Sequence, residues 1–452
     1  MARRTSLPLV AVCTLAMTLG PIARTSEPTF SARESDPGVL GWMEGVPPPP
    51  DARITALDGD FFAFPKARWT VCHIRELFPT VAVSRGLDAP LPLVYAPHHE
   101  FADLREEIDA LTFTPMNGGG PMTWAESLHA NYTDGMLILH EGRVVYERYA
   151  GCLAETGKHA AMSMTKSTVG LLAEILIAEG QLDDGAPVAD YVPELADSAF
   201  GTATVRQVMD MTTSLVFDEN YDDPDADIWA YSVAGSPLPK PPGYEGPVGY
   251  LAYLQTVEQD GPHGRAFGYK TVNTDVLAWI VARVTGRPYA EALSELLWRR
   301  MGAEQDAYLT VDAAGTPFAG GGLSASLRDL GRVGQLLLDG GVLAGERVFS
   351  PTVVEHLRRG GSRKAFEAGG FDTLRGGSYR SMFWFFHDDH GAFAARGVHG
   401  QTIYVDPTAR MVLVRFASHP QPKNARIDPT SLPAWRAVAE YLMARRAARS
   451  DR

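Results

Sequence analysis

The feature that most constrains the fold is the order of the apolar patterns, with strand-like segments towards both ends and helix-like segments between them. Residues 182–300 carry mostly helical patterns separated by loops. The flanking regions contain apolar runs typical of antiparallel strands, at residues 137–139, 144–146, 383–386, 401–405 and 411–416. This order predicts an α/β (α+β) fold, in which helices flank one antiparallel sheet and an all-helical domain is inserted.

The same patterns divide the chain into domains. Helices are predicted at residues 163–179, 327–338 and 432–446. Residues 106–181 and 301–452 then form the α/β domain, and residues 182–300 form the helical domain. Residues 26–105, which include a stretch rich in proline, serine and aspartate, are expected to be an N-terminal arm and extension laid over a domain.

The first residues predict export. Arg3 and Arg4 precede a mostly apolar run over residues 7–19, which is typical of a secretory signal and too short to cross a membrane. We therefore expect a signal peptide at residues 1–25 and a secreted or periplasmic protein with no membrane span after its removal. The alternative is an uncleaved apolar N-terminus on a cytoplasmic protein.

The net charge excludes two classes of binding partner, and the cysteine content leaves one possible disulfide. Lys and Arg number 41 and Asp and Glu 54 in 452 residues, so the net charge is −13. A chain this acidic lacks the electrostatic footprint for nucleic acid or anionic membranes, and neither is expected as a partner. Once the signal is removed, only Cys72 and Cys152 remain, and they either pair or sit buried. Nothing in the sequence specifies an oligomeric state.

No metal or cofactor motif stands out. The chain has no H-E-x-x-H, G-x-S-x-G, Walker loop or G-x-G-x-x-G. The sequence HDDH at residues 387–390 and the acidic run at 218–227 are candidates for a metal and for calcium, respectively. Both are more typical of solvated loops. Residues 387–390 lie in a polar turn between strand-like segments, and the acidic run lacks the twelve-residue ligand spacing of a calcium loop. We expect no metal and no organic cofactor.

A candidate nucleophile opens a predicted helix. Ser163 and Lys166 form the only S-x-x-K in the chain, directly before an apolar helical stretch. Free N–H groups at a helix N-terminus favour developing negative charge, and residues three apart share a helical face. Burial would lower the pKa of Lys166 and leave a neutral amine able to take the serine proton. The alternative is an N-capping serine followed by a surface lysine.

Two further elements suit the same chemistry. Tyr269 precedes a predicted helix, where a phenol could relay a proton to a leaving group. His399, Gly400 and Gln401 lead into a late strand, which could lend a backbone N–H to an oxyanion hole together with that of Ser163. Taken singly, the tyrosine is more often a packing residue and the histidine a structural one.

Together these motifs resemble the serine β-lactamase and penicillin-recognising superfamily. Within it the chain is most similar to the 6-aminohexanoate-dimer (nylon-oligomer) hydrolases, which share the class C β-lactamase fold. The blocks that carry the resemblance are residues 72–85, 140–149, 162–170, 190–195, 273–286 and 399–407. The resemblance implies an α/β domain and a helical domain with the active site between them.

The resemblance also implies roles for single residues. Ser163 would be the nucleophile, Lys166 its base and Tyr269 the proton relay. Tyr221 matches a tyrosine that contacts the scissile amide in nylon-dimer hydrolases, the alternative being a loop tyrosine that covers the surface. His399, Gly400 and Gln401 would bind substrate, with the oxyanion held by the N–H groups of Ser163 and of residues 399–402.

The predicted function is hydrolysis of a small amide or ester through an acyl-enzyme. A carboxylesterase, a β-lactamase or a D-amino-acid peptidase of the same fold stays open, as does a non-catalytic penicillin-recognition module. Two features depart from the relatives. His399-Gly400-Gln401 stands where β-lactamases usually carry K-T-G, and the loop at residues 236–247 is rich in proline.

Overall fold

The computed structural model describes residues 30–371 and 374–450, so the signal predicted at residues 1–25 lies outside the described residues. In that part of the chain no helix is both long and apolar enough to cross a membrane. The helices are α1 (Pro37–Leu40), α2 (Ala67–Thr70), α3 (Ile74–Leu77), α4 (His98–Asp109), α5 (Trp124–Ala130), α6 (Met164–Ala178), α7 (Val188–Tyr191), α8 (Val205–Met209), α9 (Asp227–Gly235), α10 (Tyr250–Leu254), α11 (Val272–Thr285), α12 (Tyr289–Leu293), α13 (Leu327–Leu338), α14 (Pro351–Arg358), α15 (Arg363–Ala368) and α16 (Asp428–Ser450). The strands are β1 (Thr80–Val83), β2 (Val94–Tyr95), β3 (Thr112–Phe113), β4 (Met122–Thr123), β5 (Thr133–His140), β6 (Arg143–Tyr149), β7 (His159–Ala160), β8 (Ala307–Thr310), β9 (Leu323–Ala325), β10 (Val342–Leu343), β11 (Glu346–Arg347), β12 (Ser378–Arg380), β13 (Phe383–Phe385), β14 (Phe393–Arg396), β15 (Thr402–Asp406) and β16 (Met411–Ala417).

An eight-stranded sheet forms the centre of the fold, with strand order β12-β13-β14-β15-β16-β5-β6-β2. Neighbouring strands are antiparallel except β2 and β6, which run parallel. The predicted hairpin and late strands are confirmed, and so is the mixed α/β class. Strand β15 begins at Thr402 rather than Gln401, because the Gln401 amide bonds both backbone groups of Ala417 and replaces a ladder contact there.

Helices cover both faces of this sheet. Helix α13 packs on β5, β15 and β16, where Gly331 and Gly334 allow close approach to Leu137 and Val412. A second apolar cluster, which includes residues of α4, α5 and α16, covers the opposite face. Burial on both faces accounts for the fully buried pattern of β15 and β16.

The buried helix α6 connects the sheet with the helical part of the chain. Its residues from Met164 to Leu176 are all buried. Helices α11 and α14 pack against it, and Ser167 donates a hydrogen bond to the carbonyl of Met382 in the turn before β13. The predicted helix is confirmed, and the Ser167 hydrogen bond fixes its N-terminal half against the turn before β13.

The N-terminal segment is built into the fold more deeply than an extended arm. It supplies β1 to a smaller sheet of order β1-β8-β9-β7, β2 to the edge of the large sheet, and α4 to the second core. The strands of this segment are short, and the strands that they pair with, β8 and β6, lie far away in the sequence. Short local patterns therefore do not show that the segment belongs to the sheets. Cys72 and Cys152 form a disulfide that fastens this segment to the loop after β6.

Candidate active site

Ser163 stands at the N-terminus of α6, directly after β7. Its backbone lies in the helical region (φ −67°, ψ −4°), and its hydroxyl makes no capping hydrogen bond. The hydroxyl instead accepts a hydrogen bond from Nζ of Lys166 at 3.1 Å. The alternative of a capping serine beside a surface lysine is therefore wrong.

Lys166 is held entirely inside the protein. Its side chain is 1% exposed, and Nζ also donates to the carbonyl oxygen of Gly320 at 2.6 Å. Burial lowers the pKa of Lys166, and the negative charges of Glu219 and Asp275 oppose that shift. A lysine with a lowered pKa has a neutral form accessible near neutral pH, which is what a base for Ser163 requires.

Asp275 holds the loop that binds the Lys166 amine. This buried carboxylate accepts hydrogen bonds from the hydroxyl of Tyr231 at 2.7 Å and from the N–H of Ala319 at 2.9 Å. The bond to Ala319 fixes the loop before β9, and the next residue of that loop, Gly320, accepts the hydrogen bond from Nζ of Lys166. Burial raises the pKa of Asp275. Asp275 is not among the residues predicted from the sequence, although its place in the first turn of α11, after Tyr269, is a signal for it.

Tyr269 lies against the same lysine. Nζ of Lys166 is 5.2 Å from the centre of the Tyr269 ring, which stacks on Trp384 with centroids 5.5 Å apart. Burial first, and then the charge of Glu219, raise the pKa of Tyr269, while a hydrogen bond with Ser163 opposes the rise. The phenol is therefore protonated at neutral pH and suited to donate a proton.

Glu219 connects the acidic loop to this centre. It accepts hydrogen bonds from the hydroxyl of Tyr221 at 2.8 Å and from the hydroxyl of Thr271 at 2.6 Å, as well as from the Thr271 N–H. Burial and the nearby Glu219 raise the pKa of Tyr221. Tyr221 and Ser163 line the same cleft. The sequence predicts a solvated run at residues 218–227, and no local pattern within it marks Glu219 as a residue of the site.

The turn between β14 and β15 closes the site from the opposite side. A side-chain carbon at Gly397 would lie 3.0 Å from the backbone nitrogen of Ser163, so only glycine allows this approach. Val398 lines the cleft beside Ser163. No hydrogen bond among the described residues uses the N–H of Ser163 or of Val398. Two free N–H groups at this point are the donors that an oxyanion requires.

The residues after Val398 have other partners. The N–H of His399 donates to the carbonyl of Pro422 at 3.0 Å, and its Nδ1 bonds the carbonyl of His419 at 2.7 Å. The carbonyl of Gly400 accepts from Arg415 at 2.8 Å, and the Gln401 side chain bonds the backbone of β16. Only His399 of the predicted trio faces the cleft. The structure does not bring Gly400 and Gln401 into it, because both are buried against β16.

The cleft has two chambers that meet at Ser163. The apolar chamber is lined by Phe61, Phe62, Ile74, Phe78, Trp229 and Phe318 beside Lys166 and His399. The second chamber, called the polar chamber for its charged residues, is lined by Asp218, Glu219, Lys270, Arg396, Lys423 and Asn424 beside Tyr269, and also by Phe217, Phe371 and Trp384. Tyr221 and Val398 line both chambers.

The sequence candidate for a metal site at residues 387–390 has other contacts in the structure. His390 and Asp406 bond each other at 2.6 Å, His387 bonds Ser378 at 2.7 Å, and Asp389 pairs with Arg436. Among the described residues, the metal-ligand types that cluster most closely are Cys72, Cys152 and His159, and both cysteines are spent in the disulfide.

A buried S-x-x-K helix start, a phenol beside the lysine and a glycine-lined turn along an antiparallel sheet define the serine β-lactamase class of proteins. The chain belongs to the Beta-lactamase family, which its residues 129–432 match.

Particular relatives agree with this assignment. The chain is 39% identical over 360 residues to the 6-aminohexanoate-dimer hydrolase of Paenarthrobacter ureafaciens, covering 79% of this chain and 87% of the relative. A solved structure from Bacillus anthracis, provisionally described as a 6-aminohexanoate-dimer hydrolase, matches with a TM-score of 0.76 and 29% identity, covering 85% of this chain and 96% of the other. A family VIII carboxylesterase shares the fold with a TM-score of 0.54 and 18% identity, covering 76% and 98%. The predicted resemblance and fold class are confirmed, and the chain is a β-lactamase-fold hydrolase.

Proposed function

We propose that this protein is a serine hydrolase that cleaves a small amide or ester through an acyl-enzyme, as its similarity to the 6-aminohexanoate-dimer hydrolase suggests. One observation carries the proposal. The Lys166 amine is buried, has a lowered pKa and lies 3.1 Å from the Ser163 hydroxyl at the junction of two chambers. A binding module without catalysis would have no need for a buried base against a free hydroxyl.

The proposed mechanism assigns one task to each group. Oγ of Ser163 attacks the carbonyl carbon, and its proton passes to Nζ of Lys166. The N–H groups of Ser163 and Val398 hold the oxyanion, since the N–H of His399, the first of the donors predicted at residues 399–402, is bonded to the carbonyl of Pro422. The Tyr269 hydroxyl gives its proton to the leaving nitrogen or oxygen and regains one from Lys166. Water then attacks the acyl carbon and gives a proton to the neutral Lys166. The bond between that carbon and Oγ of Ser163 breaks, Lys166 returns the proton to Oγ, and the carboxylic acid leaves.

The nucleophile is tested by comparing wild type with Ser163→Ala. Intact mass after incubation with a fluorophosphonate and turnover of p-nitrophenyl acetate are recorded for both. We expect one adduct and ester turnover in wild type, and the loss of both in the variant. Ser167→Ala is the matched control, because Ser167 lies one turn further along α6 and bonds Met382 instead. A folded wild type with neither adduct nor turnover would refute the proposal and favour the binding module.

Substrate comparison separates the related activities. Rates on an ester, a β-lactam and a D-Ala-D-Ala peptide distinguish a carboxylesterase, a β-lactamase and a D-amino-acid peptidase from an amidase. The relatives named 6-aminohexanoate-dimer hydrolase support the amidase, and the carboxylesterase shares the fold alone. His399-Gly400-Gln401 stands where β-lactamases usually carry K-T-G, so the lysine of that motif is absent, which argues against β-lactamase activity.

We also propose that the protein works outside the cytoplasm. The predicted signal at residues 1–25 is the first support for export. The disulfide between Cys72 and Cys152 is the second, since disulfides persist mainly in oxidising compartments.

A further inference from the structure

Three consecutive glycines, Gly320 to Gly322, lie in the wall of the apolar chamber beside Ser163. Close packing requires two of them. A side-chain carbon at Gly320 would lie 2.4 Å from Cγ2 of Thr271, and one at Gly322 would lie 2.5 Å from Oγ1 of Thr310. Packing therefore accounts for the first and the third glycine of the run, but not for the second.

Gly321, the second glycine, borders open space in the chamber. Its φ lies outside the left-handed region, so its backbone allows any side chain. An added carbon would lie 3.1 Å from Cε1 of Phe318, a contact that a small shift of the ring relieves. It would also lie 3.8 Å from the carbonyl carbon of Met162, which is bonded to the nitrogen of Ser163. The glycine thus leaves space directly beside the nucleophile, although neither backbone nor packing demands it.

The walls around this space are aromatic and incompletely covered. Phe62, Trp229 and Phe318 line the chamber, and each is half-buried. One face of the Phe318 ring stacks on Tyr250 with centroids 4.8 Å apart, and the Trp229 ring meets Tyr221 edge to face at 6.0 Å. The remaining ring surfaces are available to a bound group, and aromatic rings pack favourably on one another.

The same chamber holds no counter-charge for a cation. The described residues that line it include no carboxylate, and Lys166 is the one lysine or arginine among them. An ammonium group bound there would lose its hydration without gaining a partner, and it would meet the base instead. A buried charge without a partner is costly, so this chamber suits an uncharged group.

The position of Tyr269 decides which half of the substrate enters which chamber. A group that protonates the leaving atom must lie on the leaving-group side of the scissile bond. Tyr269 lines the polar chamber and not the apolar one, whereas Ser163 lines both. The leaving amine or alcohol therefore occupies the polar chamber, and the acyl group occupies the apolar chamber.

We propose that the apolar chamber selects a bulky, uncharged acyl group, aromatic in preference to aliphatic, and that Gly321 determines this specificity by leaving the space that the group fills. This inference rests on the proposed function and deepens it by naming the class of acyl group. The preferred substrate is an arylalkanoyl amide or ester, and an ammonium on the acyl group is disfavoured.

The test compares four p-nitrophenyl esters, which share one leaving group and differ in the acyl group. They are the acetate, the heptanoate, the 3-phenylpropanoate and the 6-aminohexanoate, and the last has an ammonium where the heptanoate has a methyl group. We expect kcat/KM to be at least about tenfold higher for the heptanoate than for the acetate, because burial of each methylene is favourable. The 3-phenylpropanoate should exceed the heptanoate by about threefold or more. The 6-aminohexanoate should fall at least about tenfold below the heptanoate.

Variants assign the preference to Gly321. In Gly321→Leu the added side chain occupies the space beside Ser163, so the ratio of kcat/KM for the heptanoate to that for the acetate should fall at least about tenfold. Gly321→Ala should lower the same ratio by less. Gly120→Leu is the matched control, because the backbone there also allows a side chain and nothing lies within 4 Å of the added carbon. The control should keep the wild-type ratio.

A second pair of esters tests which half of the substrate enters the apolar chamber. The acetates of p-nitrophenol and of 4-nitro-1-naphthol share the acyl group and differ in the size of the leaving group. Gly321→Leu should leave the ratio of their kcat/KM values close to that of wild type. A fall in this ratio, with the ratio of heptanoate to acetate unchanged, would overturn the assignment of the chambers and the proposal with it.

The outcomes separate this inference from the proposed function. Ser163-dependent turnover with equal kcat/KM for the acetate, heptanoate and 3-phenylpropanoate, or with a preference for the 6-aminohexanoate, would overturn the inference and leave the hydrolase standing. A preference that Gly321→Leu leaves unchanged would overturn the role of Gly321. If Gly321→Leu does not fold, Gly321→Ala and the wild-type comparison decide. Absence of turnover of every ester in folded wild type would refute the proposed function and this inference together.

Discussion

At the scale of single residues, the protonation of Lys166 is set by opposing effects. Burial favours the neutral amine, and the carboxylates of Glu219 and Asp275 favour the ammonium. The neutral amine is the form that can accept a proton from Ser163. Activity should therefore rise with pH through the lowered pKa of Lys166, whereas Tyr269, whose pKa is raised, stays protonated over that range.

Glu219→Gln tests this balance. Removing a negative charge makes the ammonium less stable, so the pKa of Lys166 should fall further and the acidic limb of kcat/KM should move to lower pH. Ester turnover measured across pH gives the limb directly. Asp225→Asn is the control, because Asp225 is an exposed acid of the same loop and is not among the charges that shift the pKa of Lys166. A limb that stays in place, or moves to higher pH, contradicts this account.

At the scale of elements, the position of α6 depends on one small residue. A side-chain carbon at Gly170 would come within 2.0 Å of the carbonyl oxygen of Ser381, in the turn between β12 and β13. That turn also accepts the hydrogen bond from Ser167. The helix that carries Ser163 and Lys166 is therefore pressed against the edge of the large sheet, and its register leaves no room for a methyl group.

Gly170→Ala should destabilise the protein despite the better helix propensity of alanine. Backbone on both sides of the contact must shift, and overpacking of this kind costs about 1 to 3 kcal/mol. Urea unfolding followed by circular dichroism measures the loss. Gly120→Ala, where nothing lies within 4 Å of the added carbon, is expected to change stability by less than about 0.5 kcal/mol. Equal stability of the two variants would show that α6 can move freely.

At the scale of the whole molecule, the N-terminal segment is both a structural and an active-site component. It carries Phe61, Phe62, Ile74 and Phe78 to the apolar chamber, and the disulfide of Cys72 with Cys152 spans a sequence separation of 80 residues. Closing a long loop restricts the unfolded chain, which stabilises the fold.

Replacing both cysteines by serine should lower the free energy of unfolding by about 2 to 4 kcal/mol. It should also raise KM for esters with long acyl chains more than for acetate, because the wall of the apolar chamber is less firmly held. Thermal unfolding and ester kinetics with and without a reductant check this. Wild type should approach the variant when reduced, and a reductant should leave the variant unchanged. An unchanged KM for these esters would show that the disulfide does not hold the wall of the apolar chamber in place.

The sequence by itself determined the class of fold, the local elements and the reactive pair. The alternation of period two predicts the hairpin of β5 and β6. The period of 3.6 predicts helix α6 and places Lys166 within reach of Ser163, and both periods act over only a few residues. Tyr269 is a candidate from its place before a predicted helix, the resemblance adds Tyr221, and the structure brings both to the cleft.

Only the tertiary structure decided which other groups surround that pair. Glu219, Asp275, Val398 and Arg396 come to Ser163 from loops and strand ends far apart in the sequence, and no local pattern relates them. The same holds for the N-terminal aromatic residues, which looked like part of an arm. Burial, the pKa of Lys166 and the charge difference between the chambers are properties of packed neighbours, so they exist only once the chain has folded.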